Sequence, residues 1–335
     1  MAWQHQLNGD SLSWLLEIDP ANPSVRGFAL RDLLDLPAHD PAVIEAQAAI
    51  MNSGTVPAIL ESQHPEGYWE NPGSGYGKYR GTEWQIIFLG ELGVDPSNAI
   101  VRRGCEYLLN HSIANNGGFS AAKPPTPGGV IHCLNGNLLF ALIQLGWLDD
   151  VRVQRALDWL AHAITGEPPI SYLKSATSGA EFACAANANL PCGWGAVKAV
   201  KALAAVPLEQ RTPLMQRALE QGAEFLLRFD LVKADYPIST DSKISASWFK
   251  LGFPLSYWSD LLELIAALIA VGYGADPRLT PVVEWLLSKQ DALGRWTLEH
   301  TLNRKMWINI ERAGKPSKWI TLRALRVLKA IDRQA

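Results

Sequence analysis

Gln63-His64-Pro65-Glu66-Gly67-Tyr68-Trp69 and Gln290-Asp291-Ala292-Leu293-Gly294-Arg295-Trp296 share one spelling, Gln-x-x-x-Gly-x-Trp, near opposite ends of the chain. A degenerate copy, Asn116-Gly117-Gly118-Phe119, lies between them. In each, a glycine gives the backbone freedom to turn, and a large ring two residues later is available to stack on a neighbour. The glutamine is placed to tie off the end of a preceding helix. The segments upstream are themselves repetitive. Val101-Arg102-Arg103-Gly104-Cys105-Glu106-Tyr107-Leu108-Leu109 is echoed by Val153-Gln154-Arg155-Ala156-Leu157-Asp158-Trp159-Leu160. It recurs as Gln221-Gly222-Ala223-Glu224-Phe225-Leu226-Leu227 and as Pro281-Val282-Val283-Glu284-Trp285-Leu286-Leu287. Each has an acidic residue, an aromatic and aliphatics at helical spacing, so the chain is built of internal repeats with long insertions.

Outward from these one-faced helices, a second set is apolar over most of its circumference. It covers residues 25–36, 80–92, 132–145, 192–205, 254–271 and 316–331. Segments near 10–18 and 41–62 complete the one-faced partners, and strand signals are almost absent. Six apolar helices alternating with six amphipathic ones predict a closed double ring, with the apolar set as inner wall. The connections into inner helices, such as 112–131, 165–191 and 229–253, are long and carry aromatics. The return connections 146–149 and 272–276 are short. Long irregular loops in a compact domain are commonly functional, so the opening is expected at the N-terminal ends of the inner helices.

Composition bounds the partners. The chain has 335 residues, 48% hydrophobic and 19% charged, with net charge −3. Such a balance excludes a broad cationic surface for nucleic acid and excludes disorder. No apolar run is long enough for a membrane span, because Asp260 and Glu263 interrupt the best candidate over 251–273. Met1-Ala2-Trp3-Gln4-His5 has no signal-peptide pattern, so a cytoplasmic protein is expected. Four cysteines do not make a disulfide scaffold. Thirteen tryptophans are an unusual number for this length; they serve a large core or line a cavity.

The Gln-x-x-x-Gly-x-Trp copies resemble the QW repeats of squalene–hopene and oxidosqualene cyclases, and Asn116-Gly117-Gly118-Phe119 resembles the Gly-Gly-Phe turns of protein prenyltransferase β subunits. The resemblance spans roughly residues 25–331. It implies an all-α (α/α)6 toroid as a single domain over 1–335, with 1–24 as an N-terminal helix closing the ring. It further implies an apolar, isoprenoid-like small molecule in a Trp-rich central cavity. The family's catalytic motifs do not carry over. Asp-x-Asp-Asp, Asp-Asp-x-x-Asp and Asp-x-Cys are all absent, and Asp149-Asp150 followed by Val151 and Val153 reads as a helix start.

Candidate chemistry gathers at the expected opening. His132, Cys133 and Cys192 start inner helices, and Cys184 lies in the loop before Cys192; three thiols and an imidazole would suit tetrahedral zinc. A thiol at a helix N-terminus is also a candidate nucleophile, and a small buried hydrophobe is the plainer role for free cysteine. Polar residues on apolar helices face a cavity or are buried at a cost. Asp260 is the leading acid, with Glu83 and Tyr257 beside it as catalytic candidates. Tyr79, Arg80, Trp84, Asn135, Asn137, Trp194, Lys198, Trp258, Lys318, Trp319 and Arg323 are candidates for substrate contact, the cations for an anionic group. Internal pairing of Asp260 with Lys198 or Arg323 is the alternative. No Gly-rich phosphate loop is present and no nucleotide cofactor is expected. An enzyme of cyclase or transferase type, a hydrolase or lyase on the same fold, and a non-catalytic ligand-binding or scaffold protein all remain open.

Overall fold

The computed structural model describes residues 2–73, 76, 79–168 and 178–334. Among these residues the only extended pairing is a handful of isolated bridges in loops, and helices form two concentric rings. The inner ring consists of α2 (Pro23–Phe28, continued by a π turn over Ala29–Leu33), α5 (Thr82–Leu92), α7 (His132–Gln144), α9 (Gly193–Ala204), α11 (Leu261–Ala270) and α13 (Lys318–Gln334). The outer ring consists of α1 (Ser11–Leu16), α3 (Pro41–Asn52) with α4 (Val56–Glu61), α6 (Ala99–His111), α8 (Val151–Thr165), α10 (Pro213–Leu227) and α12 (Thr280–Ser288). Around the inner ring α5 packs on α7, α7 on α9, α9 on α11, α11 on α13, and α13 on α2. Between α2 and α5 the ring closes as Ser24 Oγ donates to the Leu92 carbonyl at 2.7 Å. The molecule is an all-α (α/α)6 toroid.

Burial separates the two sets as the sequence pattern requires. Every residue of α5 except Glu91 is buried, whereas α6 buries only the stripe Val101, Gly104, Cys105, Leu108 and Leu109. Small residues let the inner helices approach closely. A Cβ on Gly90 would lie 2.8 Å from Cα of Ala141 on α7, and one on Gly136 would overlap the backbone carbonyl of Lys198 on α9.

The repeated turns have one geometry. Gly67 N–H donates to His64 O (2.8 Å) and Gly294 N–H to Asp291 O (3.1 Å), each glycine at positive φ. Trp69 Nε1 donates to Ile59 O and Trp296 Nε1 to Leu286 O, both at 2.8 Å, returning each ring to the end of the preceding outer helix. Their backbone N–H groups donate to Thr82 Oγ1 and Thr321 Oγ1 on the following inner helices. Gln63 reaches forward to α6, donating to Ile100 O and accepting from Arg103. Gln290 makes the equivalent reach to the N-terminal segment, donating to Gln6 O and accepting from Asn8 N. The same device that joins neighbouring repeats thus joins the last repeat to the first.

Three element boundaries differ from expectation. Residues 254–260 are not helical, and α11 begins only after Asp260, which caps it by accepting from Glu263 N at 2.7 Å. Segment 41–62 is broken at Ser53-Gly54-Thr55, where Gly54 takes φ 72°. Segment 1–24 forms a 3-10 turn over Ala2–Gln6 and the short α1 rather than one helix.

Candidate functional site

Five inner helices surround a cavity of about 410 Å³. Its apolar wall is Phe253, Trp319, Ile269, Val327 and a set of alanines that includes Ala266, Ala270 and Ala330. Ala266 and Ala270 face this space and are solvent-exposed on an otherwise buried helix. The floor is a parallel stack of Phe253 on Trp319, 4.0 Å between centroids and 12° between planes. Gln144, Ala270 and Ala330, at the C-terminal ends of α7, α11 and α13, lie at the other end of the space. The cavity therefore opens where the short return loops are, opposite to the opening expected from loop lengths. Aromatics of the long connections, Tyr236, Trp248, Phe253 and Trp258 among them, are buried and pack over the N-terminal end of the ring.

The polar wall is a chain of ion pairs. Lys201 Nζ lies 2.6 Å from Glu91 and 3.2 Å from Glu263, and Glu263 is 2.6 Å from Lys198 Nζ. The Lys201 ammonium also sits 4.0 Å from the Phe140 ring centroid, within cation–π range. Arg323 bonds Asp260 at 3.0 Å and the Gly252 carbonyl at 2.7 Å. Arg326 pairs with Asp32. Burial alone would raise the Glu263 carboxyl, but the charges of Lys198, Lys201 and Arg323 outweigh it and hold it at about 2. Burial would likewise lower Lys201, and Glu91 and Glu263 reverse that and raise it. Glu263 and Lys201 thus stay ionised near neutral pH.

Of the sequence candidates, Trp319 and Arg323 line this cavity, and Lys198 and Asp260 stand directly behind it. Asp260 is fully buried and accepts from Glu263 N, Gly252 N and both terminal nitrogens of Arg323. It is a helix cap and ion-pair partner, with no lone pair left for an acid's work. The internal pairing of Asp260 with Arg323 is the alternative that the structure realises.

The remaining candidates lie at the N-terminal end. Glu83 is tied to Lys123 (2.8 Å) and Ser112 (3.0 Å) between α5 and the 112–131 connection. Asn135 accepts from Phe119 N and donates to the Phe119 and Ile131 carbonyls, locking the Gly117-Gly118-Phe119 turn. Asn137 donates to Ser256 O. Trp84 stacks on Tyr76 (4.9 Å) with Tyr79 edge-on to it (4.8 Å). Arg80 covers Trp307 at 5.0 Å. Trp194 sits between Trp248 and the exposed Tyr257. Trp258 meets His300 edge-on, and Lys318 pairs with Glu17 and Asp19.

His132 and Cys133 point to different neighbours, as consecutive helical residues must. The His132 ring is buried against Trp159 and Phe182, and burial holds it neutral, at about 4. Cys133 accepts from the Tyr76 hydroxyl at 3.6 Å. Interaction with Cys192 draws the Cys184 thiol down to about 6, and the same interaction pushes Cys192 up. Among the described residues no group of three or more His, Cys, Asp or Glu side chains is arranged to hold a metal ion. The zinc expected from the sequence therefore has no donor set there.

Glu91, Lys201, Glu263, Arg326, Phe140 and Phe253 were not among the sequence candidates. The first four meet the same criterion that singled out Asp260, a charge on an apolar inner helix, and applying it to every inner helix finds them.

No protein-family profile matches the chain, and no curated protein matches it. Solved structures do. A protein from Actinoplanes is 16% identical, with 92% of this chain and 90% of that chain covered and a TM-score of 0.42. Type II terpene cyclase MstE from Scytonema, in its apo form, is 12% identical over 84% of this chain and 97% of that one, with a TM-score of 0.30. A variant of MstE in complex with geranylgeranyl dihydroxybenzoate is 14% identical over 83% and 95%, with a TM-score of 0.31. Among the described residues no helix is long and apolar enough to cross a membrane.

Proposed function

We propose that the toroid binds a small, predominantly apolar and uncharged molecule of isoprenoid type in the cavity between α5, α7, α9, α11 and α13. One observation carries this reading. About 410 Å³ of space is bounded on one side by open aromatic and aliphatic surface and on the other by cations that each already hold a carboxylate. The volume is within the usual range for ligand pockets, roughly 300–1,000 Å³. The cavity-facing cations Lys201, Arg323 and Arg326 are partly buried and already paired with Glu91, Glu263, Asp260 and Asp32, so an ionic head group would have to compete with those carboxylates. An apolar body on Phe253, Trp319 and the alanines meets no such opposition, and the Gln144 amide at the rim offers a hydroxyl or carbonyl both a donor and an acceptor. Neither leading acid is placed to start a reaction here, since Asp260 is saturated and Glu83 lies elsewhere. Binding is thus the function the geometry supports best.

Thermal unfolding and calorimetry with farnesol, geranylgeraniol and their diphosphates test this. The alcohols are expected to stabilise the wild type, and Ala266→Phe, which places a ring in the cavity, is expected to abolish the effect while leaving the fold intact. No stabilisation by either alcohol, or a diphosphate binding tenfold more tightly than its alcohol, would overturn the reading.

A further inference from the structure

On the outer face of the double ring, α8, α10 and the connection into α9 border a second pocket of about 400 Å³, which shares no residue with the ring cavity. Phe182, Phe225 and Phe229 supply its aromatic surface, with Phe225 lying 5.0 Å from Phe182 and 5.5 Å from Phe229 between centroids. Glu181, Glu224 and Arg228 supply its charges. Glu224 is held by Arg278 at 3.2 Å. Glu181 and Arg228 are both exposed and line the same pocket, yet among the described residues neither has an ion-pair partner.

The backbone holds the free carboxylate in place at some cost. Ala183 N donates to Ala180 O at 3.1 Å, closing a two-residue turn whose central residues, Glu181 and Phe182, stand at φ 54° and 65°. Turns with both central residues at positive φ ordinarily take asparagine or glycine, because a Cβ crowds the backbone there. Burial of Phe182 against His132 and Phe225 offsets its share of the strain. The Glu181 backbone N–H donates to Ala163 O at 3.1 Å, but no contact within the described residues requires its carboxylate. A local rule broken without internal compensation marks a functional position. Arg228 ends α10, where the helix dipole favours a cation in any case. It gains meaning from the unpaired carboxylate that shares its aromatic surface.

We propose that this pocket binds a free α-amino acid with a bulky apolar side chain, such as phenylalanine. The Glu181 carboxylate takes the ammonium and the Arg228 guanidinium takes the carboxylate in a two-pronged hydrogen bond. Phe225 and Phe229 receive the apolar side chain. A ligand with one charge leaves one of the two protein charges unanswered, so the site selects both charges on one small body. The site is independent of the ring cavity and of what fills it.

Calorimetric titration of the full chain with phenylalanine, phenethylamine and 3-phenylpropionate tests this, since each analogue keeps the ring and only one charge. Phenylalanine is expected to bind, and each analogue to bind at least about tenfold more weakly, the loss of one charge-assisted contact. Glu181→Gln and Arg228→Gln, both at exposed side chains, are each expected to weaken phenylalanine binding by about the same factor. No binding at millimolar phenylalanine, an analogue that binds as tightly as phenylalanine, or wild-type affinity in either variant would overturn the proposal. The ligand series on the wild-type protein decides the matter even if a variant fails to fold.

Discussion

Asp260 receives four hydrogen bonds at full burial, two of them from the Arg323 guanidinium and two from backbone N–H groups. Removing its charge while leaving its shape strands that guanidinium, so Asp260→Asn is expected to destabilise the fold by about 3–5 kcal/mol, read by urea unfolding. Glu263 and His132 give the protein two separate acid responses. Glu263 sits at about 2 in the folded state against an ordinary 4.5. Its contribution is therefore complete above pH 4.5 and is lost as pH falls toward 2. His132 is held at about 4 against an ordinary 6.5. The unfolded chain gains a proton there that the folded one refuses, so stability is complete above pH 6.5 and erodes as pH falls toward 4. The erosion amounts to about 3 kcal/mol. His132→Phe, whose ring suits the Trp159 and Phe182 neighbours, is expected to flatten the upper window and leave the lower one. A fall between pH 6.5 and 4 as steep in this variant as in the wild type would refute the assignment, since His300, also lowered by burial, leaves only the smaller part of it.

At the scale of elements, contact between inner helices depends on residues that lack bulk. Gly136 faces the Lys198 backbone so closely that a methyl has no room. Gly136→Ala is expected to cost about 1–3 kcal/mol through forced separation of α7 and α9, a loss far larger than its gain in helix propensity, and chemical denaturation measures the sign directly. The turns were legible from spelling alone, because a glycine at positive φ, a ring two residues on and a glutamine are local requirements. The start of α11 was not. The apolar pattern runs from residue 254, yet residues 251–260 are needed to carry Phe253 onto Trp319 and Gly252 onto Asp260 and Arg323. The contacts to Trp319 and Arg323 are long-range in sequence, and periodicity does not encode them.

For the molecule as a whole, ring closure concentrates at the N-terminal segment. Trp3 is buried, Gln290 holds residues 6 and 8, and Lys318 pairs with Glu17 and Asp19. Trp3→Ala is expected to destabilise by about 3–5 kcal/mol. Closure couples first and last repeats, so hydrogen exchange should quicken in α1, α12 and α13 more than in α7 and α8; uniform acceleration would contradict this. Six apolar helices alternating with six one-faced ones, and the turns that link them, were determined by the sequence by itself, because each is set by residues within a few turns of one another. Which end the cavity opens toward, and which charges face it, only the tertiary structure decided. A cavity is the space left where alanines on α9, α11 and α13 happen to face one another. The pairing of Lys201 with Glu91 and Glu263 depends on how three helices are rotated about their own axes, a quantity fixed by packing around the closed ring.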